Sequence, residues 1–176
     1  MGRDPRHRAA AVSVARELVE RGISLVYGGA RVGLMGVVAD EVLARGGSVT
    51  GVIPRGLVER EIAHSSLLDV RVVETMHARK ALMAELSDAF IALPGGYGTL
   101  EEVLEAVTWV QLGIHDKPVA VLNVGGYYDG LLRQVEQAVE EAFIPARNRG
   151  LLLVAEDPAT LLDRLEGWTP ATPSRP

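Results

Sequence analysis

The segment PGGYGT at residues 94–99 carries the clearest chemical signal in this sequence of 176 residues. It follows a predicted strand, Ala89–Leu93, and opens a predicted helix, Thr99–Leu112. A glycine turn in this setting presents free backbone N–H groups and the positive helix end to an anion, usually a phosphate. Glycine permits close backbone approach, and Thr99 adds a hydroxyl donor or a helix cap. The spacing fits neither the P-loop nor the GxGxxG dinucleotide pattern; a tight turn without a ligand is the alternative.

Charged residues accompany this turn. Glu101 and Glu102 fall in the first turn of the predicted helix, and Glu102 shares a face with Thr99, three residues earlier. A carboxylate there could hold a ribose hydroxyl or polarise a water, but the same positions also suit a capping box or a favourable helix-dipole interaction. Arg79 and Lys80 lie early in another predicted helix, where cations oppose the dipole. An anionic ligand or a carboxylate partner would remove that conflict; two solvated surface cations are the alternative.

Another glycine-rich turn, GGARVGLMG at residues 28–36, joins a predicted strand, Ile23–Tyr27, to a predicted helix, Leu34–Ala44. In open α/β sheets, ligands bind at the edge where the strands have their carboxyl ends. Both glycine turns and the Arg79-Lys80 pair belong to that edge. We therefore expect these three elements to converge on one crevice.

Short apolar runs alternate with helical patterns along most of the chain. The predicted helices are 6–21, 34–44, 76–86 with Thr75 as N-cap, 99–112, 128–142 and 158–165, and the predicted strands are 23–27, 49–53, 70–73, 89–93, 119–122 and 151–154. Strands that are apolar on both faces and alternate with helices indicate a parallel sheet covered on both sides. The sequence thus predicts a single α/β domain over residues 1–168, a Rossmann-like doubly wound sheet, followed by a disordered tail at 169–176.

Composition excludes several other classes of protein. The net charge of −5 argues against a general nucleic-acid binder, and the absence of cysteine rules out disulfides and thiolate metal sites. The four histidines are scattered without ligand spacing, so we expect no metal. We also expect no cofactor. The sequence shows no apolar run of membrane-spanning length and no signal peptide. We therefore expect a cytoplasmic protein that has no membrane partner.

These motifs, taken together, resemble those of the LONELY GUY (LOG) family of phosphoribohydrolases. PGGYGTLEE at 94–102 matches the family's PGGxGTxxE motif, and MHARK at 76–80 matches its second motif. Segments 27–29, 33–36, 51–54 and 115–118 are similar to family segments in the same order. The resemblance implies hydrolysis of the N-glycosidic bond of a purine nucleoside 5′-monophosphate, a cytokinin nucleotide or AMP, releasing the free base and ribose 5-phosphate. It also implies a homodimer.

The resemblance assigns the two catalytic positions to Arg79 and Glu102. Glu102 would contact the ribose and help to position the attacking water, and Arg79 would stabilise developing charge or assist departure of the base. Because arginine does not readily give up a proton, an electrostatic role is favoured for Arg79, and the proton donor is unassigned. The substrate-binding residues expected from the motifs and the resemblance are Gly95, Gly96, Tyr97, Gly98, Thr99, Leu100, Glu101, Lys80, Glu61, Thr108, Gly28, Gly29 and Met35.

The chain departs from the family pattern at its start. Family members begin with a strand that ends in a Gly-Ser-rich turn, whereas here the helix at 6–21 comes first. We therefore expect that the first strand of the sheet is missing from this chain, that the natural protein starts upstream of Met1, and that activity depends on the missing strand.

Three further expectations concern alternatives and assembly. The lysine decarboxylase label often given to relatives would need a lysine bound to pyridoxal phosphate, and the two lysines, Lys80 and Lys117, lie in no such setting. A non-catalytic nucleotide or molybdenum-cofactor carrier is the main alternative, although a carrier has less need of both Glu102 and Arg79. An apolar dimer interface or ordinary core packing would equally explain four residues on the motif helices, Trp109, Leu112, Leu82 and Met83.

Overall fold

The computed structural model describes residues 2–58 and 69–169, which group into two compact units divided between Ser87 and Asp88. Each unit contains a three-stranded, all-parallel sheet with helices packed on it. This architecture confirms the predicted α/β class with parallel strands. The prediction of one domain over residues 1–168 remains a prediction.

The first unit carries four helices and three strands among its described residues. In chain order they are α1 (Pro5–Glu20), β1 (Leu25–Tyr27), α2 (Gly33–Ala44), β2 (Val49–Pro54), α3 (Arg55–Val58), β3 (Asp69–Val73) and α4 (Met76–Leu86). The strand order is β1-β2-β3. Helix α1 packs on α2, and α4 packs on the sheet. Because all three strands are parallel, β1, β2 and β3 end at the same edge, which brings the residues after Tyr27, Pro54 and Val73 close together.

The second unit alternates strands and helices throughout. Its elements are β4 (Phe90–Ala92), α5 (Tyr97–Gln111), β5 (Val119–Leu122), α6 (Asp129–Glu140), β6 (Leu152–Ala155) and α7 (Pro158–Glu166), with strand order β4-β5-β6. Central strand β5 is completely buried, as an apolar strand covered on both faces must be. One core cluster holds residues from β4, α5, β5 and the start of α6: Ala92, Val103, Val121 and Tyr128.

Each predicted helix and strand has a counterpart in the structure, and most boundaries differ by one or two residues. Two differences affect the site: α5 begins at Tyr97 rather than Thr99, and α6 begins at Asp129 rather than Tyr128. Glu61 and most of the predicted tail lie outside the described residues. The strand expected upstream of Met1 remains a prediction. Within the described ranges, no helix combines the length and apolar character needed to cross a membrane.

Candidate functional site

The glycine turn after β4 leads into a helix whose N-terminus has no side-chain cap. Gly96 is the N-cap of α5, and no side chain caps the helix there. The first backbone bond of the helix runs from Leu100 N to Gly96 O at 3.1 Å. The N–H groups of the three residues between them therefore have no acceptor within the helix, and they point with the positive end of its dipole toward solvent. This geometry suits an anion such as a phosphate.

Gly95 is required by the fold of this turn. A Cβ built on Gly95 would lie 2.1 Å from Oγ1 and 2.7 Å from Cβ of Thr99, whose side chain folds back over the turn. A Cβ on Gly96 or Gly98 would instead meet no described atom within 4 Å. The outer glycines therefore leave open space beside the free N–H groups.

The two structural interpretations of the glutamates are wrong. Because the helix begins at Tyr97, Thr99 is its third residue and cannot be the cap. Glu101 and Glu102 are its fifth and sixth residues, beyond the first turn, so neither a capping box nor a first-turn dipole interaction applies. The reason is local: Gly96 supplies the N-cap conformation, three residues before the predicted helix start at Thr99. The half-buried Glu102 still shares a helix face with Thr99.

Two other predicted site residues of α5 occupy different environments. Thr108 is nine residues beyond Thr99, about 14 Å along the helix at 1.5 Å per residue. Its hydroxyl donates to Leu104 O at 2.7 Å. Leu100 packs against the core cluster of the second unit. In this unit, the structure thus brings together residues 95–99 and Glu102, while Thr108 lies apart from them.

In the first unit, Arg79 lies against the carboxyl ends of β1 and β2. Helix α4 begins as predicted, with the Thr75 side chain accepting from Ala78 N at 3.1 Å. One turn later, Arg79 Nε donates to Val52 O at 3.2 Å. Its guanidinium covers Gly28, the residue after β1, where an added Cβ would stand only 1.7 Å from Arg79 Nη2. The sheet thereby holds the guanidinium group at its carboxyl edge.

The charge of Arg79 is not neutralised by the part of the chain that the structure describes. No Asp or Glu there forms an ion pair with it; its recorded polar contacts are Val52 O and, at 3.9 Å, Met76 Sδ. At the same sheet edge, Arg55 pairs with Glu74 at 2.9 Å and lowers the pKa of that carboxyl. As far as residues 2–58 and 69–169 are concerned, Arg79 thus has N–H donors and a positive charge left for an anionic ligand.

The turn after β1 contributes the remaining predicted residues of the first unit. Gly29 adopts a left-handed φ of 71°, which glycine tolerates without strain. Met35 is 39% exposed, and the half-buried Lys80 follows Arg79 on α4. The expected single crevice would need residues of both units, so it remains a prediction.

Sequence reasoning missed a set of residues that supports the glycine turn. Asn123, the one buried polar side chain among the described residues, follows β5. Its Oδ1 accepts from Tyr128 N at 2.7 Å, and its Nδ2 donates to Asp129 Oδ1 at 2.8 Å. The hydroxyl of Tyr128 donates to Leu93 O at 2.6 Å, and that of Tyr127 donates to Gly95 O. The available signal was the segment NVGGYYD at 123–129, a third glycine turn that joins a strand to a helix.

The fold and this geometry define an α/β protein of the Rossmann-like class with an anion-binding type of glycine turn. Solved structures agree with the fold. The molybdenum cofactor binding protein from Rippkaea orientalis has a TM-score of 0.70 at 22% identity, covering 93% of this chain and 88% of that one. The molybdenum cofactor carrier protein from Chlamydomonas reinhardtii has a TM-score of 0.67 at 21% identity over 93% of this chain and 88% of that one. At such identities, the likeness establishes the fold alone.

Sequence comparison identifies the family. Residues 35–165 match the family described as "Possible lysine decarboxylase". The chain is 53% identical over 169 residues to the probable cytokinin riboside 5'-monophosphate phosphoribohydrolase LOGL6 of Oryza sativa subsp. japonica, covering 96% of this chain and 68% of the relative. It is 52% identical over 169 residues to the cytokinin riboside 5'-monophosphate phosphoribohydrolase LOG4 of Arabidopsis thaliana, covering 96% and 79%. The chain belongs to the LOG family.

Proposed function

We propose that this protein hydrolyses the N-glycosidic bond of cytokinin riboside 5′-monophosphates, and of AMP, to release the free base and ribose 5-phosphate. The observation that carries the proposal is the identity of more than half of the chain's residues to relatives named for this activity. The start of α5, which has no side-chain cap, and the charge of Arg79, which has no ion-pair partner among the described residues, agree with a substrate that carries a phosphate.

The chemistry divides among three groups of residues. The backbone N–H groups of residues 96–99 bind the 5′-phosphate. Water attacks C1′ of the ribose, the bond from C1′ to the purine nitrogen breaks, and the departing base takes up a proton. Positive charge develops on the sugar in this reaction, so a carboxylate close to it, Glu102, lowers the barrier and orients the water. Arg79 stabilises the negative charge that builds on the substrate as the base leaves.

The test is an incubation with isopentenyladenosine monophosphate, AMP and the two corresponding nucleosides, followed by chromatography of the free bases. We expect base release from the monophosphates and little from the nucleosides. Glu102→Gln keeps the size of the side chain and removes its charge, and we expect kcat to fall by about 100-fold or more. Glu105→Gln, one turn further along α5, is the matched control and should retain activity.

The remaining outcomes distinguish the alternatives. No base release together with tight nucleotide binding would favour a non-catalytic carrier. Full activity in Glu102→Gln would remove that residue from the mechanism. Release from AMP but not from isopentenyladenosine monophosphate would make the protein a plain AMP nucleosidase.

The proposal includes a cytoplasmic homodimer. Of the residues expected at its interface, Leu112 is 65% exposed, whereas Trp109, Leu82 and Met83 are half-buried. Ile114, which is 62% exposed, also belongs to the apolar surface at the end of α5. Exposed apolar side chains of this size support an interface with a second copy. Sedimentation equilibrium should give twice the chain mass of 18.9 kDa; a mass equal to one chain would contradict the dimer.

A further inference from the structure

The hydroxyl of Tyr127 contacts the proposed phosphate-binding turn from behind. It donates a hydrogen bond to the carbonyl oxygen of Gly95, 32 residues earlier in the chain. The carbonyl of Gly95 belongs to the same peptide group as the N–H of Gly96, the N-cap of α5. Described peptide bonds include no cis bond, and in a trans peptide the C=O and N–H point in opposite directions. A bond that holds the Gly95 oxygen therefore also sets the direction of the Gly96 N–H.

We propose that Tyr127 is a positioning residue for phosphate binding, because its hydroxyl holds the Gly95–Gly96 peptide with the N–H directed at the ligand. The inference rests on the proposed function and deepens it. A glycine peptide without such an anchor is free to rotate, since neither flanking residue has a side chain that restricts it. Holding the peptide in the binding orientation before the ligand arrives reduces the entropy lost on binding.

The loop after β5 is built to place this hydroxyl. Asn123 holds the start of α6 through both ends of its amide, with bonds to Tyr128 N at 2.7 Å and Asp129 at 2.8 Å. The rings of Tyr127 and Tyr128 meet edge to face, with centroids 5.1 Å apart. Tyr128 is 1% exposed, and burial raises the pKa of its hydroxyl, which therefore stays protonated as a donor. Tyr127 is thus fixed by a rigid neighbour while its own ring stays 45% exposed.

The two tyrosines provide a matched comparison. Both donate to a backbone carbonyl in the segment that leads into α5. The Leu93 carbonyl held by Tyr128 precedes Pro94, which has no N–H, so no donor direction depends on that bond. The Gly95 carbonyl held by Tyr127 precedes Gly96, which has one. Removal of the two hydroxyls should therefore have different consequences.

The experiment measures the affinities of AMP and adenosine for the full chain, by calorimetry, with the wild-type tyrosines, with Tyr127→Phe and with Tyr128→Phe. Each of these proteins also carries Glu102→Gln, so that AMP is not consumed during the titration, whereas KM and kcat are measured without that change. In Tyr127→Phe, we expect the Kd of AMP to rise about three- to tenfold, the value of one hydrogen bond, while the Kd of adenosine is unchanged. KM should rise by a similar factor, with kcat within about twofold. In Tyr128→Phe, we expect a lower midpoint of chemical unfolding, because the half-buried carbonyl of Leu93 loses its partner.

Three outcomes would overturn the inference. An AMP Kd in Tyr127→Phe within twofold of the wild-type value shows that the hydroxyl does not position the turn. Equal losses of AMP and adenosine affinity show a general structural role instead. If the wild type binds AMP no more tightly than adenosine, the phosphate site itself fails, and with it the proposed function; only the first two outcomes leave that function standing.

Discussion

Gly28→Ala tests whether the sheet edge positions Arg79. The added methyl carbon would stand 1.7 Å from Arg79 Nη2 and 2.8 Å from its Cζ. Ordinary contact needs about 3.5 Å, so the guanidinium must move by roughly 2 Å. The backbone at Gly28 does not have a positive φ, so alanine itself is tolerated there. The group that must yield is the end of a flexible side chain, and the change should therefore displace Arg79 without disrupting the sheet.

The effects of Gly28→Ala on the free energy of unfolding and on activity can be estimated separately. Loss of the bond from Arg79 Nε to Val52 O costs about 1.5–3 kcal/mol, since the donor is charged. The reduced entropy of the unfolded chain offsets about 0.4–1 kcal/mol of this. The free energy of unfolding should thus fall by only about 1–2 kcal/mol. A catalytic group misplaced by more than 1 Å can cost about 100-fold in rate, so kcat/KM for AMP should fall by about 100-fold, while the protein stays folded.

The assay compares four proteins and one control by chemical denaturation and by kcat/KM; the four are the wild type, Gly28→Ala, Arg79→Ala and the double variant. Gly28→Ala should add less than about threefold to the loss in Arg79→Ala, because both changes remove the same interaction. Gly56→Ala is the control, since a Cβ there meets no described atom within 4 Å. Near wild-type activity in Gly28→Ala would refute the reasoning. A loss that persists in full on the Arg79→Ala background would show that the methyl group blocks the substrate directly.

Two further predictions concern stability. Ala142 follows α6 with a left-handed φ of 62°, a conformation that costs a non-glycine residue about 1–2 kcal/mol. Ala142→Gly should raise the free energy of unfolding by about 0.5–1 kcal/mol after the entropy of glycine is subtracted, and an unchanged denaturation midpoint would contradict this. Burial, followed by the charge of Lys117, lowers the pKa of His115 from 6.5. As the pH falls, the unfolded state therefore binds this proton before the folded state does. His115 makes its full contribution to the free energy of unfolding above about pH 7, and this contribution is lost as the pH falls below 6.5. His115→Gln should flatten the dependence of unfolding free energy on pH between about 7 and 5; equal slopes in the two proteins would exclude His115 as the cause.

Local patterns in the sequence were sufficient to predict the helices and strands and the α/β fold class. The alternation of apolar runs with helical periodicity predicted each described strand, and each α-helix except the short α3, near its observed position, because these periodicities report which faces are buried. Thr75 was identified as a cap because capping acts over three residues. The parallel arrangement followed from strands without a polar face. These properties depend on neighbours within a few residues, so the sequence alone determined them.

The start of α5 shows where local reasoning fails even at short range. The glycine turn was predicted to extend through Gly98 and the helix to begin at Thr99. The structure begins it at Tyr97, with Gly96 as the cap, and folds the Thr99 side chain onto Gly95. That packing becomes apparent only when the turn is seen in three dimensions. It changes the interpretation of Glu101 and Glu102 from first-turn carboxylates to side chains further along the helix.

Tertiary structure alone decided which distant residues meet. Arg79 reaches Val52, 27 residues earlier, because the parallel register sets β1 beside β2 and α4 packs across their ends. Tyr127 meets Gly95 because β4 and β5 are neighbours whose carboxyl ends share one edge. The sequence showed that glycine occupies positions 28 and 95, but not which side chain each accommodates. Contacts between residues far apart in the chain depend on strand register and helix packing, and no pattern within a few residues records them.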